Sequence, residues 1–205
     1  MTERKYKCSV NPFLIDKNIK NDTQFYKTGF QNVEWKAQKL IDAVQTGGFA
    51  ISYQYRGDPP TRSSDNFICT DFVAVDVDGN RTIENTLVDP LVNNNALFIY
   101  TTVQHSPDDH RYRIVFGLPR TIIDRSDIKS LATGLALRLC GDVAAVDAAR
   151  IFFGSRGATD HARQGRRNAV IQRSRCIMPK AVALADGIDF NGIGIVRGYG
   201  RHCEK

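Results

Sequence analysis

The 205-residue sequence predicts an α+β fold, a mixed or antiparallel sheet with helices beside it. Three observations carry this expectation. Strand-like apolar segments recur in FAISYQYR, FVAVDVDG, ALFIYTTVQH and RYRIVFGLP. VEWKAQKLIDAVQTGG and DRSDIKSLATGLALRLCG instead place apolar residues at helical spacing. The turn-rich connector HSPDDH joins two of the strand segments and predicts an antiparallel hairpin.

Taken in chain order, the first fifty residues read as mainly helical, and 1–47 is set apart as a helical N-terminal part. Its best helix carries Trp35, Leu40, Ile41 and Val44 on one face and ends at Gly47-Gly48. FAISYQYR follows as a strand. The polar loop RGDPPTRSSDN, Arg56 to Asn66, is long enough to be a mobile loop over a site. Three strands come next, the last two forming the hairpin. The helix after them is capped by Asp124 or Ser126, repeats Ile128, Leu131, Leu135 and Leu139, and stops at Gly141. AARIFFGS and RNAVIQRS read as two further strands around an arginine-rich loop. The region 48–175 thus forms the main unit. The Gly-rich segment 176–205 reads as a tail or the start of a linker to a further module.

Composition narrows the function classes. Hydrophobic content of 42% and charged content of 24% are ordinary for a globular domain. No apolar run approaches membrane-span length, and the N-terminus lacks the apolar core of a secretory signal. The five cysteines are scattered, and the four histidines stand at no zinc-ligand spacing from them. A reduced, cytoplasmic protein without structural zinc and without a membrane partner is expected. The net charge is +6, and its excess is concentrated: seven arginines (Arg150, Arg156, Arg163, Arg166, Arg167, Arg173 and Arg175) stand against the single acid Asp160. Guanidinium forks suit phosphate oxygens, so a nucleotide or nucleic-acid partner is plausible on charge alone.

The chemistry centres on FVAVDVDGN, Phe72 to Asn80. In a strand, Val73, Val75 and Val77 face the core, and Asp76 and Asp78 stand side by side on the other face. Two carboxylates that close repel each other unless a cation lies between them. DVDG resembles the opening motif of haloacid-dehalogenase-type phosphatases. The later acid GDVAAVD follows a helix instead of ending a strand, however, and no strand ending in the required lysine is present. A metal-binding DxD of a sugar transferase leaves the basic C-terminal third unexplained. Two-metal nucleotidyl transfer needs a third carboxylate and cationic groups for the phosphates. The chain supplies them in order: His105 ends one hairpin strand, Arg111 and Arg113 share a face of the next, and GDVAAVDAARIFFGS offers Asp142, Asp147 and Arg150.

This order of motifs resembles the archaeo-eukaryotic primase (AEP) superfamily, closest to the primase-polymerase branch of plasmids, phages and mobile elements, over roughly Gly48 to Arg175. The resemblance implies an AEP-like catalytic core in 48–175. Such a core has an RNA-recognition-like (RRM-like) antiparallel or mixed sheet flanked by helices and packed on a small helical N-terminal subdomain. It implies primer synthesis and extension, with dNMP or NMP passed to a 3′-hydroxyl and pyrophosphate released. Asp76, Asp78 and Asp142 would hold two Mg²⁺ or Mn²⁺ ions, with Asp147 the rival of Asp142. His105 matches the histidine of the family's S-x-H motif. Val103 stands where its serine belongs, so Thr102 or Ser106 is left to supply a hydroxyl. Arg111 and Arg113 would face the triphosphate or template, and Arg150, Arg156, Arg163, Arg166, Arg167 and Arg173 would track a single-stranded DNA template or primer. A helicase module or protein is a further expected partner. The rival class is a replication-initiation or nucleic-acid-binding module that makes no polymer.

Overall fold

The computed structural model describes residues 3–158 together with 188–189 and 194–195. Arg163, Arg166, Arg167 and Arg173, the expected strand RNAVIQRS and most of 176–205 lie outside the described residues.

The architecture is α+β, as expected, and is built on two antiparallel sheets. One has the order β2 (Gln31–Lys36), β1 (Lys5–Ile15), β3 (Phe49–Ser52). The other has the order β4 (Gln54–Tyr55), β5 (Phe67–Asp78), β7 (Arg111–Ile122), β6 (Ala96–Thr101). One apolar core joins them: Tyr53 and Phe72 pack together with Phe152, with ring centroids 5.5–6.1 Å apart. A short antiparallel pair, β8 (Ile188–Asp189) and β9 (Gly194–Ile195), stands apart from both sheets.

The expectation of a mainly helical 1–47 is corrected. The segment holds two strands and one helix, α1 (Ala37–Gln45). Its strand character is masked because β1 buries polar residues beside apolar ones. Ser9 donates to the Asn32 side chain at 2.7 Å, and Asn11 donates to the Phe25 and Thr28 carbonyls at 2.9 Å each. With every buried polar group bonded, the strand needs no alternating apolar pattern. VEWK likewise reads as the first turn of a helix, but Val33 pairs with Cys8 and Trp35 with Tyr6 in the sheet. The helix begins after Lys36 and ends at Gly47-Gly48, with Gly48 at φ +68°.

The hairpin of β6 and β7 forms as expected. Between β5 and β6 lie two short helices that periodicity does not announce, α2 (Ile83–Leu87) and α3 (Pro90–Asn95). Thr82 caps the first and Asp89 the second. Asp89 also takes Arg81 at 2.8 Å and Arg138 at 3.1 Å, which ties these helices to α4 (Arg125–Arg138). The segment 56–66 is pinned. Arg62 donates its backbone N–H to the Lys27 carbonyl and its guanidinium to the carbonyls of Tyr26 and Ala149. The expected strand AARIFFGS shrinks to one rung, in which Phe152 and Ile51 exchange backbone hydrogen bonds of 2.9 Å at the edge of β3.

Asp124 caps α4 by accepting the Ser126 N–H at 2.6 Å, and Ile128, Leu135 and Leu139 are fully buried. The left-handed residue that ends this helix is Cys140 (φ +56°), not Gly141. Gly141 serves a different need. Its N–H closes the helix on the Ala136 carbonyl at 2.8 Å, and a Cβ there would lie 2.4 Å from Val75 Cγ1 and 2.7 Å from the Asp76 carbonyl oxygen. The chain leaves α4 so close to β5 that only glycine fits. Gly141→Ala is expected to lower stability by about 1–3 kcal/mol, the range for overpacked sites, readable as a lower thermal midpoint.

Candidate functional site

The register of β5 against β7 builds the site. Asp76 pairs with Arg113 and Asp78 with Arg111, so the D-x-D carboxylates and the R-x-R guanidiniums meet rung by rung. On the far side of Arg113, β6 contributes Tyr100. A row Asp76–Arg113–Tyr100 thus crosses three strands. In the next row, Thr102 donates its N–H to the Arg111 carbonyl at 2.9 Å. The three valines point away from this face and are buried, as expected.

The two aspartates of the motif differ sharply. Asp76 is 6% exposed and Arg113 is 7% exposed. Arg113 Nε donates to Asp76 Oδ1, and Arg113 Nη1 donates to Tyr100 Oη at 2.6 Å and to the Phe153 carbonyl at 2.7 Å. Its guanidinium also lies 5.4 Å from the centroids of both the Tyr100 and Phe152 rings. Arg150 Nη2 takes the other oxygen, Asp76 Oδ2, at 3.1 Å. Asp78 stands at the strand end with its side chain 49% exposed, 3.9 Å from Arg111 Nη1.

Burial works to raise the Asp76 carboxyl, and the Arg113 and Arg150 guanidiniums overcome it and hold it below the ordinary carboxylate range. Asp89 is lowered in the same way, burial being outweighed by Arg81 and Arg138. A carboxylate depressed in the folded state adds stability above its unfolded value, and that stability is lost as pH falls through the folded value. Denaturant midpoints are therefore expected to hold from neutrality to about pH 4 and to fall steeply below it.

The remaining predicted residues gather around this strand end to different degrees. His105 Nδ1 accepts the Arg111 N–H at 3.2 Å, so the neutral ring carries its proton on Nε2, the donor form that suits a phosphate oxygen. The Ser106 hydroxyl accepts the Asp109 N–H at 3.0 Å, which makes it part of the hairpin turn. Asp142 is brought to the edge of β5, its N–H donating to the Asp76 carbonyl at 2.8 Å, while its Oδ1 accepts the Ala144 N–H at 2.8 Å. Asp147 is exposed and caps its own turn through Ala149 N–H at 2.8 Å. Arg156 is placed away from the others, on Asp16, with Nε–Oδ2 3.5 Å.

Three participants escaped the sequence reading. Tyr100 orients Arg113, Asp109 holds Arg111 Nε at 2.6 Å, and His110 packs edge-on against His105 at 5.5 Å while accepting the Ile83 N–H at 3.3 Å. The second histidine of H-S-P-D-D-H was the available signal. The other two are visible only once the register is known.

A metal pair requires carboxylate oxygens free to coordinate. Among the described residues, no group of three or more His, Cys, Asp or Glu side chains is placed to hold a metal ion. Both oxygens of Asp76 are engaged by guanidiniums. As arranged, the predicted ligands do not fit a three-carboxylate cage. What they form is an alternating array of carboxylates and guanidiniums, with one buried pair and an open, exposed rim.

No protein family matches the chain, and no curated protein matches it. Among solved structures the chain is similar to the AEP domain of the cyanophage S-2L primase-polymerase, with 13% identity and a TM-score of 0.41 over 79% of this chain and 77% of that one. It is similar to the catalytic domain of primase RepB′ in complex with initiator DNA, with 15% identity and a TM-score of 0.38 over 83% and 91% of the two chains. A further crystal structure of primase RepB′ is matched at 14% identity and a TM-score of 0.37, over 73% of this chain and 44% of that one.

Proposed function

We propose that the chain is a template-dependent nucleotidyltransferase of the primase-polymerase kind, acting on nucleoside triphosphates and single-stranded DNA. The observation that supports this reading best is the rung-by-rung meeting of D-x-D and R-x-R at one strand end, with His105 and Arg150 beside it. Such an array can receive a polyanion on its arginines while keeping a carboxylate exposed. Arg111 and Arg150, each with a side chain one-third exposed, and the Nε2–H of His105 would bind the triphosphate. Arg113 is a positioning residue, fixing Asp76 and the 150–153 segment against the sheet. Asp78 is open at the rim to accept the proton of an attacking 3′-hydroxyl. Mg²⁺ or Mn²⁺ belongs to the proposal as a co-reactant. Asp78 and Asp142 are the carboxylates of the predicted set that a cation can approach without displacing a guanidinium. The boundaries of the core at 48 and 175, a helicase partner and a mobile-element setting are part of the same proposal.

The test is incubation with a single-stranded DNA template, labelled dNTPs or NTPs, and Mg²⁺ or Mn²⁺. Products complementary to the template are expected, with and without a primer. A protein that binds the template but yields no product under any of these conditions contradicts the reading. That outcome favours the second reading, a non-polymerising replication-initiation module, for which the engagement of both Asp76 oxygens by arginines speaks.

A further inference from the structure

The two arginines on Asp76 are not equivalent. Arg113 is built in: it rises from the middle of a three-strand row, its side chain is 9% exposed, and its bonds run to Asp76, Tyr100 and the Phe153 carbonyl. Arg150 is held on different terms. Its backbone is fixed, since its carbonyl accepts the Ser52 hydroxyl at 2.6 Å and its N–H donates to the Asp147 carbonyl at 3.1 Å. Its side chain, however, is one-third exposed and meets Asp76 through the single Nη2 bond of 3.1 Å. Its Nε is buried with no hydrogen-bond partner. A buried donor left unsatisfied is a standing cost, so the contact that buries it is the one most readily exchanged for a better partner.

The charge balance indicates the exchange. With two guanidiniums on one carboxylate, the Asp76 position is already neutralised in excess, and a divalent cation arriving there meets repulsion. A nucleoside triphosphate offers Arg150 several anionic oxygens in a geometry that its fork can engage through Nε and Nη together. The swing of one side chain from Asp76 Oδ2 to a phosphate would satisfy the orphaned Nε and free a carboxylate oxygen in the same movement.

We propose that Arg150 is a cation gate, occupying Asp76 Oδ2 in the absence of nucleotide and releasing it to a divalent cation when a triphosphate takes over the guanidinium. This rests on the functional reading above and goes beyond it. Metal loading becomes conditional on nucleotide, and the absence of a ready-made cage in the resting protein is its consequence.

The experiment measures Mn²⁺ binding to the full chain, by electron paramagnetic resonance or calorimetry, with and without a non-hydrolysable nucleoside triphosphate. In wild type, nucleotide is expected to tighten Mn²⁺ binding beyond what the nucleotide binds by itself. Without nucleotide, Arg150→Gln is expected to bind Mn²⁺ roughly tenfold or more tighter than wild type, the factor corresponding to loss of one charge-assisted contact. Its affinity for nucleotide should fall. A gain in metal affinity is not what a merely damaged fold would show, and Arg150→Lys, which keeps the charge, should stay near wild type. If Arg150→Gln binds Mn²⁺ no tighter than wild type while both still bind nucleotide, the gate is overturned and the functional reading stands. If neither protein binds nucleotide at any Mn²⁺ concentration, both are overturned.

Discussion

Replacing Arg113 with Met will cost about 3–5 kcal/mol of folding stability, the range for removing one partner of a buried ion pair. Asp76 and Arg113 are each more than nine-tenths buried and are bonded to each other. Without the guanidinium, Asp76 keeps only Arg150 at 3.1 Å, and Tyr100 and the Phe153 carbonyl each lose the donor that Nη1 supplied. Urea denaturation measures the loss. The double variant Asp76→Ala/Arg113→Met should be markedly less destabilised than the sum of the two single variants, because it removes both charges together. Additive losses would mean that the pair contributes little as a pair.

Asp78→Asn is expected to behave in the opposite way. Its side chain is half exposed, and its ion pair with Arg111 is long, so the substitution should leave the denaturation midpoint essentially unchanged. Under the proposed function it should lower template-dependent nucleotide incorporation by about 10²–10⁴-fold, the contribution typical of a positioned acid–base group. Two aspartates one residue apart are thus predicted to separate cleanly, one read out by stability and the other by activity. An Asp78→Asn protein with full incorporation activity removes the carboxylate from the chemistry.

Much of this arrangement can be read in the chain, and the parts that cannot have identifiable physical reasons. FVAVDVDG and RYRIVFGLP declare themselves as strands because each has one face made only of core residues. The side-by-side placement of Asp76 and Asp78, and of Arg111 and Arg113, follows from the period of two alone. What no periodicity states is register. A shift of one residue between β5 and β7 would part the carboxylates from the guanidiniums, and only the folded sheet shows Asp76 opposite Arg113. Arg150 illustrates a second gap. In sequence it belongs to a run of arginines and suggests a nucleic-acid surface, whereas the rung between Phe152 and Ile51 carries it inward to Asp76. The N-terminal strands are a third case: Ser9 and Asn11 are fully buried, and their partners lie 14 to 23 residues away, beyond any local pattern.

Where a triphosphate binds is the point on which the account turns. A structure with a non-hydrolysable nucleoside triphosphate and Mn²⁺ locates it directly. The phosphates are predicted at the Asp78 end of β5, against Arg111, Arg150 and His105, with Arg150 turned away from Asp76. Phosphates bound instead at the opposite end of β5, in the groove lined by Arg56, Ser64, Phe67 and Ser126, would contradict the assignment.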